Sequence, residues 1–199
     1  MIFVKCVPLV CVHFCVVQSK TLGMNTKALF LTAFGWAISA SLFAQNTHTM
    51  QSINQRAPVQ CSKSITINAS AEKVWSLITN INHWAAWQTD ISRATLHGSL
   101  TAGTLFEWKT GGANIHSTLH TVEPFKYFGW TGKTMGIHAI HNWTISEANG
   151  QTTVTVEESM QGLLAGLLKK SFNKSLENGM IRWLSLLKAA CEQPVSPVN

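Results

Sequence analysis

The sequence has few charged side chains. Only 12% of its 199 residues are charged, whereas 46% are apolar. This balance excludes disordered chains, which need many charges, and fibrous ones, which need a strict repeat of composition. Internal repeats and low-complexity segments are also absent. The chain is still unusually apolar for a protein in water, so the position of its apolar residues is the first question.

Several signatures of specific chemistry are missing as well. The 15 Lys and Arg residues outnumber the nine Asp and Glu residues, but they are scattered rather than clustered. A scattered excess does not fit a dedicated nucleic-acid-binding protein. The sequence has no glycine-rich phosphate-binding loop and no recognisable cysteine nucleophile motif. We therefore predict no cofactor, no metal and no nucleic-acid partner.

Much of the apolar excess lies at the front of the chain. The first 44 residues include 29 apolar ones and three Lys, but no acidic residue. Met24 begins a short basic segment, an apolar run follows over 28–43, and small Ala44 comes next, which is the order found in a secretory signal. The run is shorter than the ~20 residues that span a membrane. Cleavage after Ala40 is an alternative, and an uncleaved membrane anchor is another.

These features divide the chain into segments. We expect an exported bacterial protein, periplasmic or secreted, that is monomeric and makes no stable membrane insertion after cleavage; an uncleaved signal would anchor it to the membrane. The predicted segments are an over-extended gene start over 1–23, a signal peptide over 24–44, a flexible leader over 45–60, one folded domain over 61–192 and a tail over 193–199.

Hydrophobic periodicity predicts an α+β domain. Ile65 and Ile67 alternate with polar residues as in a strand, and Ser70 is a plausible N-cap for the helix that follows. Gly166 and Gly179 weaken the last helix and mark candidate bends. The predicted elements are a strand over 61–68, a helix over 71–79, a short helix over 82–87, strands over 91–160 and a long helix over 163–192.

Three turn signals predict hairpins, at Gly111-Gly112, Pro124-Phe125 and Asn149-Gly150. If each turn holds two residues, the apolar members of all three hairpins fall on one face of one curved antiparallel sheet. The predicted pairs are Trp108 with Ile115, Phe106 with Ser117, Thr121 with Phe128, Leu119 with Trp130, Ile145 with Val154, Trp143 with Val156, His141 with Glu158, and Ala139 with Met160.

The two faces of this sheet differ sharply. The polar face is predicted to be solvated; its two histidines lack a third ligand in convergent geometry, so no metal site is expected there. The other face is aromatic, and it fits either a plain core under the long helix or a cavity for an apolar ligand. The polar face holds Glu107, Lys109, His116, His120, Thr153, Thr155 and Glu157, and the aromatic face holds Phe106, Trp108, Phe128, Trp130 and Trp143.

The order of several motifs resembles the START/Bet v 1-like (SRPBCC) superfamily, and in particular its polyketide cyclase/dehydrase and lipid-transport group. These motifs span residues 61–192. They are Ile65-Thr66-Ile67-Asn68-Ala69-Ser70-Ala71-Glu72-Lys73-Val74-Trp75-Ser76-Leu77-Ile78 with Trp84 and Trp87, Val122-Glu123-Pro124 before Phe128 and Trp130, His141-Asn142-Trp143, Val154-Thr155-Val156-Glu157-Glu158 before Gly162-Leu163-Leu164, and Leu184-Ser185-Leu186-Leu187-Lys188 with Glu192.

The resemblance implies a helix-grip fold: a curved seven-stranded antiparallel sheet wrapped around a long C-terminal helix, with two short helices after the first strand and a hydrophobic cavity between sheet and helix. In that fold Cys61 lies near the start of the long helix and Cys191 at its far end. Because a disulfide needs Cα atoms within ~7 Å, we predict no bridge between them.

His141 and Glu158 are the sharpest pair of candidate functional residues. They are predicted to lie directly opposite each other on the apolar face. Such a pair can anchor a polar group of a ligand, act as general acid and base, or simply satisfy itself and fix the strand register. The predicted ligand-lining residues are Phe106, Trp108, Ile115, Leu119, Phe128, Trp130, His141, Trp143, Val156, Glu158, Met160, Leu168 and Phe172.

Three functions fit the sequence. The leading one is binding or transport of a hydrophobic small molecule, such as a lipid, an aromatic compound or a polyketide-like compound, without catalysis. The second is a cyclase or dehydrase-type enzyme with His141 and Glu158 as acid and base. The third is a stress-response or interaction module whose cavity is filled by its own tryptophans.

Overall fold

The computed structural model describes residues 50–193. The predicted gene start and signal segment, and all but the first residue of the tail, lie outside that range. The elements are β1 (Val59–Ile67), α1 (Ala71–Thr79), a 3-10 helix (Ile81–Ala86), β2 (Ile91–Leu96), β3 (Leu105–Thr110), β4 (Ala113–Glu123), β5 (Tyr127–Thr134), β6 (Ile137–Ala148), β7 (Gln151–Gln161), α2 (Leu163–Leu167) and α3 (Lys169–Glu192).

The seven strands form one antiparallel sheet in the order β1-β7-β6-β5-β4-β3-β2. The first and last strands of the chain are therefore neighbours, as the helix-grip fold requires. Helix α3 packs across the inner face of the curved sheet and meets β1, α1 and α2. The predicted α+β helix-grip architecture is confirmed. The core lies between the inner face, α1 and α3.

The first and last hairpins have the predicted register. Trp108 pairs with Ile115 across Gly111-Gly112, and His141 pairs with Glu158 across the Asn149-Gly150 turn. Both residues of each turn have positive φ, which type I′ turns need and which glycine and asparagine tolerate.

The middle hairpin differs from the prediction. Its turn holds three residues, Pro124 to Lys126, because Glu123 pairs with Tyr127. Thr121 therefore lies opposite Gly129, and the predicted Thr121–Phe128 pair is wrong. An extra turn residue alone would move every later side chain to the other face. A bulge at His120 absorbs it, so the predicted Leu119–Trp130 pair is confirmed.

The long C-terminal helix is broken near its start. Helix α2 ends at Leu167, and Leu168 has φ −108° and ψ 26°, outside the helical region. The break lies two residues after Gly166, one of the predicted bends, whereas α3 continues through Gly179. At the other end of the domain, Ser70 caps α1 as predicted, accepting a hydrogen bond from the Lys73 amide.

The segment before β1 was expected to be flexible over 45–60, but from residue 50 onward it is held against the outer face of the sheet. The Asn54 amide donates to Ser159 Oγ at 2.9 Å, and the Asn142 side-chain amide donates to the Gln51 carbonyl at 2.8 Å. Asn142 and Ser159 are buried. Buried polar groups need partners, and this segment supplies them.

The outer face is also less solvated than predicted around His120. Its imidazole is partly buried above Gly129, and burial, reinforced by the nearby His141, lowers the pKa of His120 to about 4. A β-carbon on Gly129 would lie 2.4 Å from His120 Cε1 and 2.7 Å from Asn142 Oδ1. The bulge and this glycine therefore form one unit: the bulge directs the imidazole outward, and the glycine makes room for it.

We expect Gly129→Ala to lower the free energy of unfolding by about 1–3 kcal/mol, because the added methyl group collides with the partly buried His120 and the buried Asn142. Gly132→Ala on the same strand is the matched control, since its β-carbon would meet neighbours at an ordinary 3.4 Å. Urea denaturation of both variants measures the difference. Equal stability of the two would show that the room above Gly129 is not needed.

Candidate functional site

The candidate site centres on His141 and Glu158, which lie opposite each other on β6 and β7. His141 Nδ1 is 2.5 Å from Glu158 Oε2, and the two side chains are 10% and 12% exposed. A carboxylate can only accept, so Nδ1 carries the proton of this hydrogen bond. The contact fixes the orientation of the imidazole and leaves Nε2 as its second polar atom.

Aromatic rings surround the imidazole. His141 stacks on Trp130, with ring centroids 4.2 Å apart and planes 14° from parallel. Trp143 and Trp183 lie at 5.5 and 6.1 Å from the imidazole centroid. The Glu158 carboxylate therefore holds one nitrogen of the imidazole, and indole rings pack around the imidazole ring.

Among the seven buried side-chain polar atoms that lack a hydrogen-bond partner within residues 50–193, three belong to the rings of this cluster. They are His141 Nε2, Trp143 Nε1 and Trp87 Nε1. A buried polar group without a partner costs about 1–3 kcal/mol. Nearby Trp108 shows the usual arrangement, since its indole N–H donates to Ser117 Oγ at 3.1 Å.

Trp183 of α3 connects these groups. Its ring lies against Trp84 at 5.4 Å, Trp143 at 5.7 Å and Trp87 at 6.0 Å between centroids. Trp183 itself is only half-buried, whereas Trp84, Trp130 and Trp143 are at most 2% exposed. With Trp87 and Trp108, which are also half-buried, it forms the part of this aromatic cluster that reaches solvent.

Most predicted lining residues do share the inner face. Leu168 does not, because the helix breaks there and leaves its side chain 53% exposed. The buried ones are Phe106, Leu119, Phe128, Trp130, His141, Trp143 and Val156, and the half-buried ones are Trp108, Ile115, Glu158, Met160 and Phe172.

The predicted list omitted three aromatic residues of the cluster: Trp84, Trp87 and Trp183. Trp84 and Trp87 belong to the 3-10 helix region, whose packing on the sheet no strand register can reveal. Trp183 falls on the apolar stripe of α3, so helical periodicity did carry a signal for its inward position.

The remaining candidates for chemistry lie apart from this cluster. On the outer face His116 Nδ1 is 2.9 Å from Glu107 in an exposed pair. Among the described residues no group of three potential ligands is placed to hold a metal ion. Cys61 and Cys191 both carry free thiols, and burial raises the pKa of Cys191 to about 11, which keeps that thiol protonated and unreactive.

A family model described as polyketide cyclase/dehydrase and lipid transport matches residues 58–192, which include the whole sheet, α3 and the His141 cluster. The chain belongs to this family. The predicted polyketide cyclase/dehydrase and lipid-transport group is therefore confirmed. No protein with a curated description matches the sequence.

Solved structures with the same fold come from several bacteria. Hypothetical protein jhp0584 from Helicobacter pylori is 19% identical with a TM-score of 0.64, and the match covers 72% of this chain and 98% of that one. The Zhui aromatase/cyclase from Streptomyces sp. R1128 is 11% identical with a TM-score of 0.61, covering 69% and 96%. A START superfamily protein from Mycobacterium smegmatis is 13% identical with a TM-score of 0.58, covering 67% and 97%. At these identities the likeness concerns the fold.

We predict that His141→Leu and Glu158→Leu each destabilise this family member by about 3–5 kcal/mol, because each leaves a buried polar partner unpaired. The double variant should lose less than either single variant, since it replaces the pair by apolar side chains. Urea denaturation of the four proteins completes the cycle. Purely additive losses would show that the two side chains do not interact in solution.

Proposed function

We propose that the protein binds an apolar small molecule with an oxygen-bearing group against the inner face of its sheet. The observation that carries the proposal is His141 Nε2, which is buried and without a partner while Nδ1 is held by Glu158. A side chain that served only to fix strand register would gain nothing from a second polar atom buried among indole rings.

The chemistry around this atom narrows the class of ligand. The indole N–H groups of Trp87 and Trp143 can only donate, and both are buried and unpaired. A carbonyl, ether or phenolic oxygen would satisfy them, while the surrounding rings favour a flat or flexible apolar body. Lipids, aromatic compounds and polyketide-like compounds all combine these two features.

The ligand reaches these groups by displacing Trp183. This ring covers Trp87, Trp143 and His141, and it is half-buried at the edge of the cluster. A bound apolar molecule would replace the ring contacts that Trp183 gives up. The third function predicted from the sequence is an interaction module whose interior is filled by tryptophans. In that case Trp183 never leaves this position.

The binding test compares two probes of nearly equal shape, 2-naphthol and 2-methylnaphthalene, by equilibrium dialysis. We expect 2-naphthol to bind about tenfold more tightly, because its hydroxyl pairs with an imidazole that is otherwise unsatisfied. In His141→Phe this preference should disappear, whereas His116→Ala, on the exposed outer face, should keep it.

These binding measurements distinguish a ligand site at His141 from an interior that is filled by tryptophans. A preference for 2-naphthol that survives in His141→Phe would remove His141 from the site. If neither the native protein nor Trp183→Ala binds either probe, the interior is filled by its own side chains. That result would reject the proposed binding function.

A cyclase or dehydrase-type reaction is the second candidate. It is favoured by the same imidazole, because a carboxylate on Nδ1 and a free Nε2 are how a general base is positioned. We propose to identify, by native mass spectrometry, the molecule that co-purifies with the protein from its own host and to return it to native protein and to His141→Gln. An enzyme would convert it, and the variant would bind it without conversion. A binding protein would return it unchanged in both cases.

A further inference from the structure

One end of the domain exposes a cluster of large apolar side chains, here called the apolar tip. Helix α2 is only five residues long, and three of its leucines point away from the core. Single exposed leucines are normal, but a contiguous group is not. The members and their exposures are Met135 73%, Leu163 78%, Leu164 36%, Leu167 70% and Leu168 53%.

The apolar tip is one continuous surface built from two parts of the chain. Met135 is in the turn between β5 and β6, and Gly136 follows it. Gly162, just before α2, lies so close to Gly136 that a β-carbon on Gly162 would be 2.3 Å from its carbonyl oxygen. This contact sets the exposed turn beside the first leucine of α2.

Positive charge surrounds the apolar tip. Lys169 and Lys170 follow it directly, Lys174 is one turn further along α3, and all three are exposed. No acidic residue occurs between Glu158, which is held by His141, and Glu177, which is paired with Lys63. Lys169, Lys170 and Lys174 therefore have no acidic neighbour within residues 159–176 of the chain.

A groove on the other side of the tip adds further basic groups. It has a volume of about 430 Å³ and runs past Met135. His116, Lys133 and His138 line it in one cross-strand row. His138 Nδ1 is buried and has no partner among the described residues. Lys133 adds an exposed ammonium group here, whereas the His116 imidazole is already paired with Glu107 at 2.9 Å.

We propose that the apolar tip docks on the surface of an anionic phospholipid membrane. The leucines and Met135 enter the interface, and the lysines, with Lys133 of the groove, face the headgroups. A membrane fits better than a protein partner because exposed leucines and Met135 lie beside exposed lysines, the combination that binds an anionic lipid surface. The docking is peripheral, since no helix within residues 50–193 is long and apolar enough to cross a membrane. It does not depend on the ligand proposed above.

The test uses residues 45–199, which keeps the apolar segment before residue 45 from binding lipid on its own. Every described strand and helix and the whole hydrophobic core lie within residues 59–192, so this piece keeps them all. Co-sedimentation measures the partition of the chain between buffer and vesicles of phosphatidylcholine, with or without phosphatidylglycerol. We expect at least tenfold stronger binding to the anionic vesicles, weakened by added salt.

Two variants address the two components of the surface. Leu163→Ser/Leu167→Ser should reduce binding to anionic vesicles at least tenfold, because it removes the most exposed apolar area of α2. Lys169→Glu/Lys170→Glu should reduce it by about fivefold or more for each lysine lost. Leu105→Ser and Lys109→Glu are the matched controls, because both residues are exposed but lie on β3, outside the tip.

Native-like circular dichroism and an unchanged melting temperature show that each variant is folded, as expected for exposed positions. The proposal fails if the native chain ignores anionic vesicles, or if the leucine variant binds as well as the leucine control. It also fails if the native chain is a dimer that the leucine variant converts to a monomer without any effect on vesicle binding. That result would assign the tip to contact between two copies.

Discussion

The register between β6 and β7 is the constraint on which the candidate site depends. It sets His141 directly opposite Glu158 on the inner face, and it does so from a turn of two residues, Asn149 and Gly150, that both have positive φ. A slip of one residue would carry both groups to the outer face and expose Val154 and Val156. The contact between His141 and Glu158 is thus fixed by a turn that lies far from it along the strands.

The neighbouring hairpin shows how the sheet protects this register. The turn at Pro124 is one residue longer than its sequence suggests, and the bulge at His120 takes up the excess. The bulge leaves an imidazole lying over the strand, which only a residue without a side chain, Gly129, can accommodate. The inner face stays intact because the irregularity is kept on the outer face, where the segment before β1 covers part of it.

The fold and the inner face could largely be predicted from the sequence. Alternation with a period of two and turns rich in glycine and asparagine determine which residues share a face, so His141, Glu158, Trp130 and Trp143 were placed together. The bulge could not be predicted, since no single residue type marks it. The break at Leu168 could not be predicted either, because the helical spacing of apolar residues continues through it although the helix does not. The grouping of Trp87 and Trp183 is a tertiary contact between a 3-10 helix and α3, which no local pattern records.

The interior of the protein buries polar atoms that the fold does not need, and they lower the free energy of unfolding. Phenylalanine at position 143 and leucine at 141 and 158 would fill similar volumes without burying unpaired nitrogen atoms, and apolar replacement of buried ion pairs is often neutral or stabilising. Three of the seven unpartnered polar atoms buried within residues 50–193, those of Trp87, His141 and Trp143, lie on rings that contact the half-buried Trp183. A ligand bound beside Trp183 would offset the cost of these three atoms. The same reasoning applies to the apolar tip, where hydration of five large side chains is a cost that a membrane surface would remove.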